Sequence, residues 1–400
     1  MSDAARIIVA GAGPTGLVAA LLAARQGIPV LVLETEAQPL TDQRGAAFHP
    51  PTLEILAELG LSDALHAIGL VVPVWQIRDR AAGVIAEFDL SQLRNDTPFP
   101  YRFHLGQHLL VPILLDALRG CPHAEVRFGM AVTNVAQHAD GVVVTAGPTA
   151  ERFKGGWLIG ADGGRSAVRK AVGITLEGYT WPKRFLVTNV QGDLETRGFA
   201  RTNYVSDEQS WAVVLRLSDA DGASLWRITY PIESDAEDGT VLAEPNVRRR
   251  LNQIVPESDS LPLRYAGLYR VHQRVAETFR AGRVLLVGDA AHLNNPLGGF
   301  GLNSGVHDAA NLLAKLAPVW RGEADAGLLD RYARQRRHAN VKYVQESSIR
   351  NKRLLEERDP ERRRQGQEQL RCIARDPMLA RTHLLNSSMI TSVRDAERIE

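Results

Sequence analysis

The run Gly11-Ala12-Gly13-Pro14-Thr15-Gly16 constrains this 400-residue chain more than any other feature. It lies between Ile7 to Ala10, which reads as a buried strand, and Leu17 to Gln26, an alanine- and leucine-rich helix closed by Gly27. Val30 to Leu33 is the next buried strand and stops at Glu34, so the segment is a βαβ unit carrying a GxGxxG turn. The first glycine permits the tight turn, the second lets backbone approach a pyrophosphate, and the third lets helix pack on strand, while the acid accepts hydrogen bonds from a ribose. Glycines that serve close packing alone are the alternative; the agreement of strand, turn, helix and acid argues against it.

A second turn of this kind lies far along the chain. Val284 to Val287 is an apolar strand, and Gly288-Asp289 sets a carboxylate at its end, where a ribityl or ribose hydroxyl would bind. Pro296 stiffens the approach to Gly298, Gly299 and Gly301, whose exposed N–H groups precede a helix expected over Gly305 to Leu316. The positive end of that helix would favour negative charge developing on a flavin ring. A third glycine–acid turn, Gly160-Ala161-Asp162-Gly163-Gly164-Arg165-Ser166, follows the strand Trp157 to Ile159. Two phosphate- and ribose-competent turns so far apart point to one large cofactor, and FAD fits best.

Size and composition narrow the class. The length calls for two domains or one domain with a large insertion. The 47 Lys and Arg nearly cancel the 46 Asp and Glu, leaving +1, which gives no reason to expect a nucleic-acid or anionic-membrane partner. Cys121 and Cys372 are the whole cysteine complement, with no CxxC and no metal-ligand spacing, so a dithiol redox centre is excluded and a reducing compartment fits. The N-terminus lacks a signal-peptide pattern and no segment approaches the ~20 apolar residues of a membrane span, so a cytoplasmic protein is expected.

The fold class predicted is α/β: a Rossmann-like FAD-binding domain with an inserted mixed or antiparallel β-sheet substrate domain and a helical C-terminus. The first domain is assigned residues 1–73, 101–178 and 267–327, the second 74–100 and 179–266, and the helical region 328–400. Pro50-Pro51 sets up a helix from Thr52 to Leu59, and Gln107 to Leu118 has helical spacing despite Pro112. Val126 to Phe128, Val132 to Val135 and Val142 to Thr145 read as antiparallel strands with Asp140-Gly141 as a hairpin turn. Phe185 to Val190, Trp211 to Leu217 and Leu225 to Tyr230 are strands of the insertion. Arg362 to Arg364, set among Glu356, Glu357, Asp359 and Glu361, reads as a solvated, salt-bridged helix face.

These segments, in this order, resemble the flavoprotein aromatic hydroxylases, the single-component FAD monooxygenases that include p-hydroxybenzoate hydroxylase; the layout is nearest to members of the 3-(3-hydroxyphenyl)propionate hydroxylase type. The resemblance rests on Gly11 to Gly16, Asp162-Gly163 and Gly288-Asp289. It implies that Gly11, Gly13, Pro14, Thr15 and Gly16 cradle the cofactor, that Glu34 holds the adenosine ribose, and that Arg44 contacts the diphosphate or adenosine side. It implies Gln107 at the ribityl region, Asp162 beside the diphosphate and the nicotinamide route, and Gly288 and Asp289 at the ribityl or pyrophosphate portion. Pro296, Gly299, Gly301, Leu302 and Asn303 would lie against the isoalloxazine, the last two through backbone N–H groups. Read without the resemblance, Arg44 is equally a surface arginine and Gln107 a helix-capping residue.

The implied reaction uses NADH or NADPH to reduce FAD and O2 to form a C4a-hydroperoxide that hydroxylates a small aromatic, phenolic substrate. No second GxGxxG provides a separate nicotinamide domain. Tyr204, Arg216 and Tyr230 are substrate candidates on strands facing the flavin, with a fold-stabilising or solvent-facing role as the alternative for each. No catalytic residue is assigned: His292 reads as structural, and His49 and His104 are left open. An FAD-dependent reductase or dehydrogenase of a quinone or prenyl substrate, and a non-catalytic flavin-binding sensor, are the rival functions. A halogenase is disfavoured, since the first lysine is Lys154 and Val74-Trp75-Gln76-Ile77 lacks the expected tryptophan motif. The tail from Leu328 is read as capping the substrate site or supporting a homodimer.

Overall fold

The computed structural model describes residues 6–39, 45–218, 224–233 and 235–400. Its first layer is a six-stranded sheet in the order Arg280–Ala281, Val284–Leu286, Trp157–Gly160, Ile7–Ala10, Val30–Leu33, Ala124–Arg127. Five of these strands run parallel, and Arg280–Ala281 is the antiparallel edge. The central strands are short and entirely apolar because helices cover both faces of the sheet, burying every side chain of Ile7–Ala10 and of Val30–Leu33. The helices Pro14–Arg25, Gln107–Arg119 and Phe300–Trp320 supply much of that cover, with Leu17, Leu21, Leu110, Leu114, Val306 and Leu313 in one core.

Two expectations are corrected here. The strand predicted at Val126 to Phe128 is Ala124–Arg127, and it is not antiparallel: it lies parallel to Val30–Leu33, with Val30 opposite Ala124. The helix Gln107–Arg119 immediately before it acts as a crossover, and a strand entered from a crossover helix joins its sheet parallel. The antiparallel unit beside it is instead Val132–Gln137, Val142–Ala146 and Glu151–Gly155, with the turn at Asp140-Gly141 closed by His138 N–H donating to Gly141 O at 2.8 Å. The helix expected at Gly305 begins at Phe300 and runs to Trp320. Its glycines are sites of close approach rather than loop, since a Cβ on Gly305 would stand 2.4 Å from Thr15 Oγ1.

The second layer is an eight-stranded sheet in the order His292–Leu293, Leu263–Ala276, Leu176–Gln191, Ser224–Ile232, Trp211–Ser218, Thr202–Ser206, Val74–Asp79, Gly83–Asp89. The strands Leu176–Gln191 and Leu263–Ala276 pair along most of their length, so positions 178/179 and 266/267 fall inside strands and no linker separates the layers. Side chains alternate between two cores. Leu186, Val205, Val214, Trp226, Ile228 and Tyr230 pack beneath the helices Asp238–Leu242 and Glu244–Ile254 through Val241, Val247 and Leu251. Trp75, Phe88, Phe185, Tyr204, Trp211 and Val271 meet Leu297 from the glycine loop and Leu355, Leu370, Leu384 and Ile390 from the C-terminal helices.

The C-terminal region is helical, as expected, in the segments Leu328–Ala339, Glu346–Glu356, Pro360–Arg375, Pro377–Ser387 and Ile390–Glu397. The first two are joined by a π-helical stretch, Asn340–Gln345. Of the arginine run, Arg364 pairs with Glu361 at the surface, whereas Arg363 reaches across to Asp79 at 2.5 Å and ties its helix to the sheet.

Candidate active site

The fingerprint turn separates its three glycines by use. A Cβ on Gly11, whose φ is +103°, would lie 2.5 Å from Ala161 O, and one on Gly16 would lie 2.1 Å from Gly11 O, so both are packed against backbone. A Cβ on Gly13 would meet nothing within 4 Å, so the backbone there borders open space, as the second glycine of a pyrophosphate-binding turn must. The helix Pro14–Arg25 starts there with no side-chain cap and no acid in its first turn, leaving its N–H groups for an anion. Glu34 folds beneath this turn, its Oε2 accepting from Ala12 N–H at 2.5 Å and its Oε1 from Glu36 N–H at 3.0 Å.

The second turn is brought against the first. Thr15 Oγ1 would be 3.0 Å from a Cβ on Gly288 and 2.4 Å from one on Gly305, so the fingerprint, the Gly-Asp turn and the long helix converge on one threonine. Behind the turn lies a buried charge network. Asp308 Oδ2 accepts from Gly288 N–H at 3.0 Å and pairs with His292 Nε2 at 2.8 Å, while Oδ1 accepts from Arg336 Nε at 2.7 Å. Burial works to raise the Asp308 carboxyl, and Arg336 and His292 outweigh it and hold it below the usual range. His292 is thus structural, as its sequence setting suggested. Asp308→Asn is expected to lose about 3 to 5 kcal/mol, because Arg336 would be left buried without its carboxylate; denaturant unfolding at neutral pH measures it, and a loss below about 1 kcal/mol would contradict the network's role.

The loop that precedes the long helix is braced from four sides. Gly298 and Gly299 take φ of +113° and +71°, which only glycine adopts readily, and bend the chain into the helix start at Phe300. Asn303 is fully buried; its Nδ2 donates to Ala47 O and Gly299 O at 2.8 and 2.6 Å, and its Oδ1 accepts from His49 N–H at 2.8 Å. Asn295 and Gln273 cross-link the loop to the eight-stranded sheet. From the C-terminal helices, Gln345 donates to Leu293 O at 3.1 Å and Asn351 to Leu297 O at 3.3 Å. The long helix, like the first, has neither a side-chain cap nor an acid in its first turn.

A model of the family described as "FAD binding domain" matches residues 4–347. Para-nitrophenol 4-monooxygenase of Pseudomonas sp. (strain WBC-3) is 35% identical over 98% of this chain and 97% of its own length. The chain belongs to the FAD-dependent aromatic monooxygenases. Another relative, 6-hydroxy-3-succinoylpyridine 3-monooxygenase HspB of Pseudomonas putida (strain DSM 28022 / S16), is 36% identical over 90% of the chain and 91% of its own length. Among solved structures, p-nitrophenol 4-monooxygenase PnpA from Pseudomonas putida DLL-E4 superposes with a TM-score of 0.92 at 33% identity, covering 98% of this chain and 99% of that one.

The monooxygenase's own geometry fits FAD. Two uncapped helix starts, the space over Gly13 and the exposed Asp289 lie around the convergence at Thr15. A Cβ on Gly45 would lie 3.2 Å from Leu302 Cδ2 and 3.5 Å from Gln107 Oε1, so those two predicted residues converge with the start of the loop helix. Pro296, Gly299 and Gly301 share that loop. The Asn303 side chain is spent on the clamp, which leaves only its backbone for any ligand. Asp162 caps the next helix, accepting from Ser166 Oγ at 2.5 Å and Val168 N–H at 3.0 Å, which leaves it a supporting place under its turn. Arg44 lies outside the described residues.

On the substrate side two predictions are corrected. Tyr230 belongs to the core under the helix Glu244–Ile254, on the sheet face turned away from the glycine loop, and burial there pushes its hydroxyl up. Arg216 takes the same face by alternation with Trp211, Val213 and Leu215, and pairs with Glu195 at 2.5 Å. Trp211–Ser218 is apolar on both faces, so period alone gave no side. Tyr204 does face the loop's side, edge-on to Trp75 with ring centroids 5.7 Å apart. Tyr269 shares this core's face against Phe185, and burial pushes its hydroxyl up although 36% of its surface stays accessible.

Sequence reading missed Arg102 and the roles of His49 and His104. Arg102–His104 is a strand whose middle residue, Phe103, enters the core of the first layer. Its neighbours therefore point the other way, and the polar–apolar–polar alternation was the available signal. His104 Nδ1 donates to Arg216 O at 2.7 Å and Nε2 meets Thr202 Oγ1 at 3.1 Å. His49 Nε2 donates to Gly298 O at 2.7 Å and its ring stacks on Phe300. Burial, then Arg102, holds His49 well below the ordinary histidine range, and burial brings His104 to about 4.

Proposed function

We propose that this monooxygenase acts on a small aromatic ring bearing a hydroxyl and inserts oxygen at the carbon para to it, displacing the substituent there. The reading rests on the two relatives that match nearly end to end, since each name places oxygen at the ring position that carries a substituent para to the hydroxyl, nitro in one and succinoyl in the other. FAD supplies the redox chemistry, taking two electrons from NADH or NADPH and activating O2 for transfer of one oxygen atom. The protein's share is to hold the ring between the glycine loop and the face of Trp75, Tyr204 and Tyr269, to exclude water and to keep the ring electron-rich. Oxygen transferred to the substituted carbon lets the substituent leave with its electron pair, and loss of the hydroxyl proton leaves a quinone. A cytoplasmic site, where the reductant is made and Cys121 and Cys372 stay reduced, belongs to the same reading.

The test is turnover of the FAD-loaded enzyme with 4-nitrophenol, a 3-acyl-6-hydroxypyridine and unsubstituted phenol, with NADH and NADPH in separate arms. Expected are substrate-stimulated reductant oxidation, one labelled oxygen from O2 in the product and release of the substituent. A product that keeps the substituent and gains a hydroxyl beside the first one sinks the proposed position, and reductant oxidation yielding only hydrogen peroxide sinks the proposed substrate class.

A further inference from the structure

Deep in this fold a cation stands without a counter-charge among the described residues. Arg102 is 3% exposed, its Nε has no hydrogen-bond partner, and among the described residues no carboxylate pairs with it. Its one defined contact is the Trp75 ring, 4.8 Å from the guanidinium carbon. Three other buried arginines are handled differently: Arg336 holds Asp308, Arg184 holds Asp238 and Ala236 O, and Arg169 donates to Ala290 O and Gly164 O. Burying an ion costs several kcal/mol unless a partner answers it, so a guanidinium kept only for the fold would have been given one.

A proton acceptor lies beside it. His49 is fully buried and donates through Nε2 to a carbonyl, which fixes the tautomer and leaves Nδ1 as a lone pair with no partner among the described residues. The antiparallel register that sets Ala47 opposite His104 and Phe48 opposite Phe103 carries His49 opposite Arg102, and the His49 ring stacks on Phe300 at the start of the loop helix, with ring centroids 5.7 Å apart. An aromatic wall of Trp75, Phe88, Tyr204 and His383 stands on the other side of Arg102. Among the described residues, an unsatisfied cation and an unsatisfied acceptor thus lie on adjacent strands, one against Trp75 of the aromatic face and the other against Phe300 of the loop helix.

We propose that Arg102 and His49 form a phenol-ionising pair: the guanidinium receives the substrate's ring oxygen as an anion and His49 Nδ1 accepts its proton. The O–H bond breaks with its electron pair left on oxygen against Arg102, and the proton becomes the Nδ1–H of an imidazolium that the new phenolate compensates. A phenolate pushes charge to the ring carbon para to it, the position proposed for attack, so this inference rests on the substrate reading above. The other titratable groups facing the pair are His104, His307 and His383, each held below the ordinary histidine range, while Arg201 and Arg227 act on His104 and Arg350 on His383.

The experiment follows the colour of 4-nitrophenol bound to the oxidised holoenzyme without reductant, as difference spectra across pH. The wild-type complex is expected to ionise at least one pH unit, a factor of ten, below free 4-nitrophenol. Arg102→Met, which replaces the charge with apolar volume, is expected to abolish that shift, and Arg102→Lys to restore part of it. His49→Gln keeps a donor toward Gly298 O but lacks Nδ1, and is expected to bind the neutral phenol more weakly while binding the phenolate as before. Wild type and Arg102→Met binding with equal midpoints overturns the pair and leaves the substrate reading standing. A wild-type enzyme that binds no phenol in the panel overturns both.

Discussion

Gly13→Val is expected to give a folded protein that carries no flavin and has lost activity by about 100-fold or more. The side chain would extend into the space above the fingerprint that no protein atom enters, and Gly13 itself has φ of −69°, which valine adopts without strain. The only folding cost is a less favourable residue at the helix start, about 1 kcal/mol or less. Gly16→Ala should do the reverse in kind. Its Cβ would press on Gly11 O at 2.1 Å, so the turn must open and the protein should unfold more easily before cofactor binding is even asked about. Flavin absorbance of the purified proteins and thermal unfolding of their apo forms separate the two. A Gly13→Val protein that retains bound FAD would show that the cleared space does not lie along the cofactor's path.

Acid should weaken this protein in a window set by histidine rather than by carboxylates. His49, His104 and His307 are buried and neutral when folded, with burial the main cause in each; His104 is brought to about 4 and His307 to about 3, against 6.5 when exposed. Their folded values are depressed, so the unfolded chain binds more protons below pH 6.5, and stability falls as the pH drops from there toward 4. At about pH 5 His104 and His307 each cost about 2 kcal/mol, about 4 together, and His49 adds to the loss in the same direction. Urea midpoints measured from pH 8 to 5 check this. A flat profile down to pH 5 would mean that the three rings are protonated in the folded state.

Much of the cofactor half could be read from residue order alone. Ile7 to Ala10, the glycine turn, Val30 to Leu33 and Glu34 carry their structure locally, because a short apolar strand, a turn that needs glycine at Gly11 and Gly16 and a helix are each set by near neighbours. The Gly288-Asp289 turn was legible for the same reason. What could not be read is decided by pairing across the chain. Ala124–Arg127 carries no mark of its parallel partner, and the direction follows only once the helix before it is seen as a crossover. Arg216 and Tyr230 were misplaced because their strands are buried on both sides, so the two-residue period has no contrast to report. Arg102 was overlooked since a lone arginine in a sequence looks like a surface residue, and its lack of a carboxylate among the described residues is visible only in three dimensions.

The two amides that reach the cofactor loop from Gln345 and Asn351 have a bearing on how such enzymes can be rebuilt. Leu297 and the residue that holds it are 54 positions apart, on opposite sides of any cut one would make by drawing domains along the chain. A chimera that joins the front of one enzyme to the rear of another would seat a loop in a cradle shaped for a different loop. Inheritance of substrate preference should therefore follow the loop and the 346–356 helix as a single unit, and useful recombinants will be those in which both come from the same parent.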